Sequence, residues 1–145
     1  MDFPTAVRTC FQKYIVFSDR AQRSEFWYFV LFNIFGSVVL GLIDSVVFGW
    51  AYRDSSVFGS IFGLIMFLPS ISVAVRRLHD TDRSGWWWWL WLIPLIGWII
   101  LIVWYATKGT DGPNRFGPDP MSGSSGRGEA AFSHHTSIPS VPRKD

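Results

Sequence analysis

The sequence predicts an all-α membrane protein with three transmembrane helices, an amphipathic interfacial helix before them and a disordered C-terminal tail after them. Of its 145 residues, 49% are hydrophobic, 18% are aromatic and only 17% are charged, whereas an ordinary soluble domain has roughly 25% charged residues. The apolar residues also collect in three long blocks. The length suits a single domain, and the three blocks argue against a soluble globule.

The three apolar blocks are long enough to cross a bilayer. A spanning helix needs about 20 apolar residues, because the hydrocarbon core is about 30 Å thick. The blocks cover residues 26–50, 57–75 and 85–106, and Asp44 is the one charged residue within them. Lipid offers the backbone no hydrogen bonds, so each block is predicted to be a helix. The predicted transmembrane domain therefore covers residues 26–106.

Residues 1–25 precede the first span and contain apolar side chains at helical spacing. These residues are Phe3, Val7, Cys10, Phe11 and Tyr14. The spacing predicts an amphipathic helix, which we expect to lie on the cytoplasmic leaflet. The alternative is a soluble segment that packs on the connection between the second and third spans.

The chain becomes polar after the third block. Residues 107–120 are rich in turn-forming residues, and residues 121–145 consist mainly of Ser, Gly, Pro and charged residues. Such a composition cannot bury enough apolar surface to offset the entropy of ordering. The sequence therefore predicts a turn-rich segment followed by a disordered tail.

The distribution of Lys and Arg predicts the orientation. Seven of them lie in the N-terminal segment and the connection after the second block, whereas three flank the blocks elsewhere. Cytoplasmic segments carry the excess of Lys and Arg. With three spans, this predicts a cytoplasmic N-terminus and a C-terminus outside.

The densest polar stretch covers residues 76–84, between the second and third blocks. The guanidinium groups of Arg76, Arg77 and Arg83 could bind a phosphate or an anionic lipid head group. Alternatively, these residues set the topology and pair with nearby Asp residues in a compact turn. A metal site would use His79, Asp80 and Asp82, whose spacing matches no recognised ligand set, so no metal is predicted.

A run of Trp residues follows this stretch directly, at positions 86–89 and 91. Four consecutive Trp side chains point around most of a helix, so they cannot form one catalytic face. Trp is enriched at the membrane–water interface, and we expect Trp86 and Trp87 to anchor the chain there. An aromatic cage for a cationic ligand is the weaker alternative.

Asp44 and a pair of glycines are the other notable features of the spans. An intramembrane carboxylate is a functional candidate by default. The structural alternatives are an ion pair between Asp44 and Lys108 or a hydrogen bond from a neighbouring hydroxyl to Asp44. Gly59 and Gly63 form a Gly-x-x-x-Gly pair, which indicates close helix packing.

Several functional classes find no support in the sequence. No nucleophile elbow, phosphate-binding loop or paired-His zinc motif is found, so no enzyme and no cofactor is predicted. The net charge of +2 is too small to suggest binding to a nucleic acid. The single cysteine, Cys10, excludes an internal disulfide.

Three stretches carry a resemblance to a known family. The first stretch contains FSDR at 17–20 and RSEFW at 23–27. The second contains RRLHD at 76–80 and RSGWW at 83–87, and the third is NRFGPDP at 114–120. The pattern resembles the YhaH-like bacterial inner-membrane proteins called domain of unknown function 805, and it covers about residues 11–120. The resemblance implies an inner-membrane location and supplies no activity. The family pattern usually has Gly at the positions of Asp19 and Asp82, which argues against a metal site that needs Asp82.

Together these observations predict an integral inner-membrane protein that binds or organises anionic lipid or a membrane protein partner. Arg76, Arg77 and Arg83 would hold the phosphate, and Trp86 and Trp87 would set its depth in the membrane. The alternative from another class is a transporter or permeation component, which would form by oligomerisation.

Overall fold

The computed structural model describes residues 1–49 and 56–122 and is predominantly helical there. Its elements in chain order are α1 (Phe3–Gln12), α2 (Arg23–Phe48), α3 (Val57–Asp80), a 3₁₀ helix (Gly85–Leu92) and α4 (Ile96–Ala106). The all-helical prediction is therefore confirmed for the described ranges, where a single isolated bridge between Asn114 and Gly117 is the one β contact.

The two long helices α2 and α3 form the centre of the molecule. With 26 and 24 residues, they are about 39 and 36 Å long, and both are long and apolar enough to cross a membrane. α3 continues beyond the predicted end at residue 75 to Asp80. The helices approach closely at Gly36, where a Cβ atom would lie 2.5 Å from the ring of Phe62.

The third apolar block forms a hairpin, so the prediction of one continuous helix over residues 85–106 is wrong. Pro94 lacks an N–H group and disfavours helical backbone at the residue before it, and Ile93 is indeed extended. Leu95 then adopts a positive φ of 66°. The chain thus reverses between the 3₁₀ helix and α4.

The two arms of this hairpin pack directly against each other. The indole N–H of Trp98 donates to the carbonyl oxygen of Trp91 at 2.9 Å, and the rings of Trp87 and Trp104 meet edge to face. A Cβ atom at Gly97 would overlap the carbonyl group of Leu90. The absence of a side chain at this position therefore lets the arms lie in contact.

Both ends of the hairpin lie at the C-terminal end of α3. A four-residue connection joins Asp80 to the start of the 3₁₀ helix at Gly85. At the other end, Arg77 Nε donates to the carbonyl oxygen of Tyr105 at 3.1 Å. This contradicts the prediction that residues 85–106 carry the chain to the opposite end of the bundle. α4 alone is about 16 Å long, roughly half the thickness of the hydrocarbon core.

The helix predicted before the first span is present as α1, and it packs on the protein. It buries Ala6 and Cys10, and the ring of Phe11 contacts the rings of Phe29 and Phe32 on α2. Beyond α1, the chain is fastened to α3 by Ser72, whose hydroxyl reaches two carbonyl oxygens of residues 13–16. That α1 lies on the cytoplasmic leaflet stays a prediction.

Residues 107–122 form turns rather than a regular element. Asn114 and Gly117 exchange two backbone hydrogen bonds of 3.0 Å, which close a tight turn. A second turn element is the backbone hydrogen bond from Ser122 to Asp119. The predicted disorder of residues 121–145 falls, beyond its first two positions, outside the described residues.

Asp44 caps the start of the neighbouring helix. Its carboxylate accepts hydrogen bonds from the Ser56 hydroxyl at 2.8 Å and from the backbone N–H groups of Phe58 and Gly59 at 3.1 and 3.0 Å. The first turn of a helix leaves such N–H groups unpaired. The predicted bond to a neighbouring hydroxyl is thus confirmed. The alternative pair with Lys108 is wrong, because Lys108 donates to Asp111.

Gly59 and Gly63 of α3 have different surroundings. Gly59 lies beside Ser56 and beside the Asp44 carboxylate of α2, whereas Gly63 has no atom from another part of the described chain within 4 Å of its Cβ position. Close helix packing by the pair as a whole stays a prediction. Packing of Gly63 in an oligomer stays a prediction.

We expect Asp44→Ala to destabilise the pairing of α2 and α3. The substitution removes three hydrogen bonds to the first turn of α3 and leaves its N–H groups without this acceptor. In detergent, the thermal unfolding midpoint should fall by several degrees. Ser45→Ala is the control, because that hydroxyl donates only to Gly41 within α2. Equal midpoints for the two variants would contradict the capping role.

Candidate functional site

Five charged side chains are buried where α3 ends, and we call them the ionic junction. They are Arg20, Glu25, Arg76, Arg77 and Asp80, and each residue is at most 4% exposed. Three cations and two carboxylates therefore share a space from which water is excluded. Buried charges are tolerated best when they are paired and hydrogen-bonded. The junction pairs its charges in two halves, and Arg76 Nε and Nη2 have no hydrogen-bond partner among the described residues.

The sequence divides the junction through the geometry of α3. Arg76 and Arg77 are adjacent in the sequence, and successive residues point about 100° apart around an α-helix. Arg76 consequently faces α2 and pairs with Glu25. Arg77 faces α4 and pairs with Asp80.

The first half contains Cys10, Glu25 and Arg76. Arg76 Nη1 donates to Glu25 Oε1, and Cys10 Sγ lies 3.8 Å from the same oxygen. Burial, together with the nearby Glu25 carboxylate, raises the pKa of the Cys10 thiol to about 12. The thiol therefore stays protonated at neutral pH and acts as a small buried group.

The second half is centred on the carboxylate of Asp80. Arg20 reaches Asp80 Oδ1 through Nε at 3.1 Å and Nη2 at 3.0 Å, and Arg77 Nη1 donates to Asp80 Oδ2. Each carboxylate oxygen thus has its own guanidinium partner. Asp80 holds together two arginines that come from distant parts of the sequence.

The same two arginines bind the chain that leaves α4. Arg20 donates to the carbonyl oxygens of Gly112 and Thr110, both at 2.6 Å. Arg77 donates to the carbonyl oxygens of Tyr105 and Thr107. The junction therefore fastens the returning end of the hairpin to α3 and to the N-terminal segment.

His79 joins the turn at residues 114–117 to α3. Its ring stacks on Phe116 with centroids 3.8 Å apart and planes 2° apart. Its carbonyl oxygen accepts from Asn114 Nδ2 at 2.8 Å. His79 Nδ1 also lies 3.3 Å from the carbonyl oxygen of Asp19. The turn at residues 114–117 and the segment around Asp19 therefore lie at the same end of the molecule.

The candidate metal ligands are not brought together. Asp80 is occupied by two arginines, and Asp82 pairs with Arg115 at 3.2 Å. Across residues 1–49 and 56–122, no group of three His, Cys, Asp or Glu side chains is placed to hold a metal ion. Asp82 has a φ of 57°, a left-handed conformation that glycine adopts without strain. A glycine is therefore expected to suit this position in the related pattern.

The predicted phosphate-binding arginines do not form one site. Arg76 and Arg77 are fully buried and bind groups of the protein itself. Arg83 is partly exposed, with its guanidinium carbon 4.5 Å from the ring centre of Trp104. Trp86 and Trp87 are 79% and 49% exposed, so their rings face outward.

Sequence reasoning missed the structural roles of Arg20, Glu25 and Tyr105. Arg20 and Glu25 lie within the first stretch of the family-like pattern, in its segments 17–20 and 23–27. That signal marked them as notable without revealing their partners, which lie 60 and 51 positions away in the sequence. Tyr105 takes part in the junction through its backbone carbonyl oxygen. Every residue type has this group, so the residue type at position 105 does not indicate the contact.

Among the described residues, the Lys and Arg side chains outside the junction fall into two groups. Lys13, Lys108 and Arg115 each pair with an aspartate. Arg8 and Arg23 are exposed, and, with Arg83, they have no carboxylate within salt-bridge distance among the residues that the structure covers. We call this second group the outward arginines: Arg8, Arg23 and Arg83.

Comparison with known proteins gives a consistent relationship. Residues 14–118 match the family described as Protein of unknown function (DUF805). The chain is 50% identical over 110 residues to the inner membrane protein YhaH of Escherichia coli strain K12, a match that covers 75% of this chain and 90% of YhaH. It is 41% identical over 113 residues to the inner membrane protein YhaI of the same strain, covering 78% and 92%. No solved structure matches.

We expect Asp80→Ala to destabilise the fold strongly. The substitution leaves Arg20 and Arg77 as buried charges without a carboxylate, and breaking a buried pair in this way costs about 3–5 kcal/mol. Equilibrium unfolding in detergent measures the effect.

The control is Asp111→Ala, which breaks the solvent-exposed ion pair between Asp111 and Lys108. Exposed pairs contribute little to stability, so this variant should unfold like the wild type. If Asp80→Ala were no less stable than Asp111→Ala, the junction would not hold the fold together.

Proposed function

This chain belongs to the DUF805 family, and we propose that it is a non-catalytic inner-membrane protein that organises anionic lipid in the cytoplasmic leaflet. In this proposal α2 and α3 cross the membrane, and the hairpin of residues 85–106 enters only the cytoplasmic half. Both described ends of the chain then lie in the cytoplasm. The single observation that carries the proposal is the return of the hairpin to the ionic junction.

The charge distribution supports this topology. Nine Lys and Arg residues lie in the N-terminal segment, in residues 76–84 and in residues 107–120, whereas the connection between α2 and α3 contains only Arg53. With a hairpin instead of a third crossing, all nine fall on one side. The positive-inside rule assigns that side to the cytoplasm.

The outward arginines are the groups best placed to meet lipid head groups. Arg76 and Arg77 are occupied within the junction, so the head-group role expected for them passes to Arg8, Arg23 and Arg83. Basic residues near an anionic membrane surface contribute about 1 kcal/mol each. The exposed Trp86 and Trp87 rings are suited to the interfacial depth at which those head groups lie.

The contacts of the charged residues support a binding role rather than transport or catalysis. The carboxylate of Asp44 is already used to cap α3. The carboxylates of Glu25 and Asp80 are neutralised by arginines. A proton or cation pathway along α2 and α3 would need an ionisable group that is released from such contacts.

We expect the combined substitution of Arg8, Arg23 and Arg83 by Ala to reduce the retention of anionic lipid. Wild type and variant are released from nanodiscs containing palmitoyl-oleoyl phosphatidylglycerol and phosphatidylethanolamine, and native mass spectrometry counts the bound lipids. The preference for phosphatidylglycerol should fall at least about fivefold, since each arginine contributes about 1 kcal/mol.

The matched control replaces Lys13, Lys108 and Arg115 by Ala. It removes the same number of positive charges, but these are already paired with Asp residues, so the lipid preference should change much less. An equal loss in both triple variants would assign the effect to net charge and overturn the proposal. An unchanged preference in the outward-arginine variant would also overturn it.

A further inference from the structure

An apolar groove runs along the side of the molecule between α2, α3 and the hairpin. Its volume is about 440 Å³, within the range of sites that bind small organic ligands. Aromatic and aliphatic side chains dominate its lining, among them Phe26, Phe29, Ile34, Phe67, Trp88 and Trp91. The groove is open on one side, along helices of a length and apolarity suited to crossing a membrane.

The groove has two distinct ends. Near the ionic junction, the rings of Phe26 and Tyr105 lie with centroids 4.4 Å apart, and the backbone of Tyr105 accepts from Arg77. At the far end, Ile34 and Trp91 line the wall. From Phe26 to Ile34 the groove follows α2 for about 12 Å, in the direction away from the charged end.

Tyr105 is a polar residue of the groove wall, and its hydroxyl has no protein partner within the described ranges. Tyr105 is 7% exposed and lines the groove, and its hydroxyl makes no hydrogen bond to residues 1–49 or 56–122. Buried hydroxyls in proteins are nearly always hydrogen-bonded. Tyr105 lines an open groove, so its unpaired hydroxyl is the candidate donor to a ligand that enters there.

We propose that this groove binds one acyl chain of a phospholipid from the cytoplasmic leaflet. The Tyr105 hydroxyl donates to the ester carbonyl at the head of that chain, and the methylene groups lie along the aromatic wall toward Ile34. A phospholipid chain has this order of one polar acceptor followed by hydrocarbon. The choice of leaflet rests on the proposed function, because it follows from the cytoplasmic position of the junction.

The composition of the chain itself favours lipid over a segment of this protein. Residues 121–145 contain six hydrophobic residues, Met121, Ala130, Ala131, Phe132, Ile138 and Val141, and the remainder is mainly Ser, Gly, Pro and charged residues. Such a sequence cannot supply a continuous apolar filling for the groove. A bilayer surrounds a spanning protein with acyl chains at high concentration, which makes them the natural occupant.

The test measures the lipid that survives delipidation in detergent. Wild type, Ser70→Phe and Leu31→Phe are released from nanodiscs of palmitoyl-oleoyl phosphatidylethanolamine and examined by native mass spectrometry. Ser70 lines the groove, so Phe there should occupy it and reduce retained lipid at least about fivefold. Leu31 is 54% exposed outside the groove, and Phe there should retain lipid as the wild type does.

A second variant tests the polar contact without filling the groove. Wild type should retain the ester lipid in preference to a diether lipid with the same chains, which lacks the carbonyl acceptor, and Tyr105→Phe should abolish that preference. This readout keeps the proposal testable if Ser70→Phe fails to fold. Equal retention by Ser70→Phe and wild type, or an ester preference that Tyr105→Phe leaves unchanged, would overturn it.

The two lipid proposals fail in different ways. Loss of the outward arginines changes the preference for phosphatidylglycerol over phosphatidylethanolamine. Filling the groove reduces retention of both lipids, because their acyl chains are the same. Groove-dependent retention without a head-group preference would support the acyl-chain site and contradict the proposed function.

Discussion

The carboxylate of Asp80 is the contact on which the arrangement of the chain depends. It accepts from Arg20 on one oxygen and from Arg77 on the other, and the remaining donors of these arginines bind the backbone of residues 105–112. Because the site is shielded from water, each guanidinium group is held by its attraction to the carboxylate as well as by directed hydrogen bonds. The N-terminal segment, the end of α3 and the end of the hairpin therefore meet at one point.

The parts of the fold that depend on local pattern could be predicted from the sequence. Apolar runs located α2 and α3, and helical spacing located α1, because these signals lie within one element. The third block has the composition of a spanning helix, yet Pro94 and the left-handed Leu95 reverse it. Hydropathy counts apolar residues and does not register the direction of the chain, so it predicts a crossing where the chain forms a hairpin.

The site was predicted less well because residues adjacent in sequence need not point to the same place. Arg76 and Arg77 appear as one basic patch, whereas the turn of α3 sends them to different carboxylates. Each of these carboxylates also contacts a residue from the N-terminal segment: Glu25 contacts Cys10, and Asp80 contacts Arg20. Most of the acceptors of Arg20 and Arg77 are backbone carbonyl oxygens. Such long-range contacts leave no local signature. Arg83, which follows the end of α3, is the one predicted head-group arginine that stays outward.

The most direct test asks on which side of the membrane the hairpin ends. In a Cys10→Ala background, single cysteines are placed at Ser18, Ser55 and Pro113 and treated with a membrane-impermeant maleimide in intact spheroplasts and after lysis. We expect Ser55→Cys to react in intact spheroplasts, whereas Ser18→Cys and Pro113→Cys should react only after lysis. Reaction of Pro113→Cys from outside, with Ser18→Cys protected, would show that residues 85–106 cross the membrane and would contradict the proposed topology.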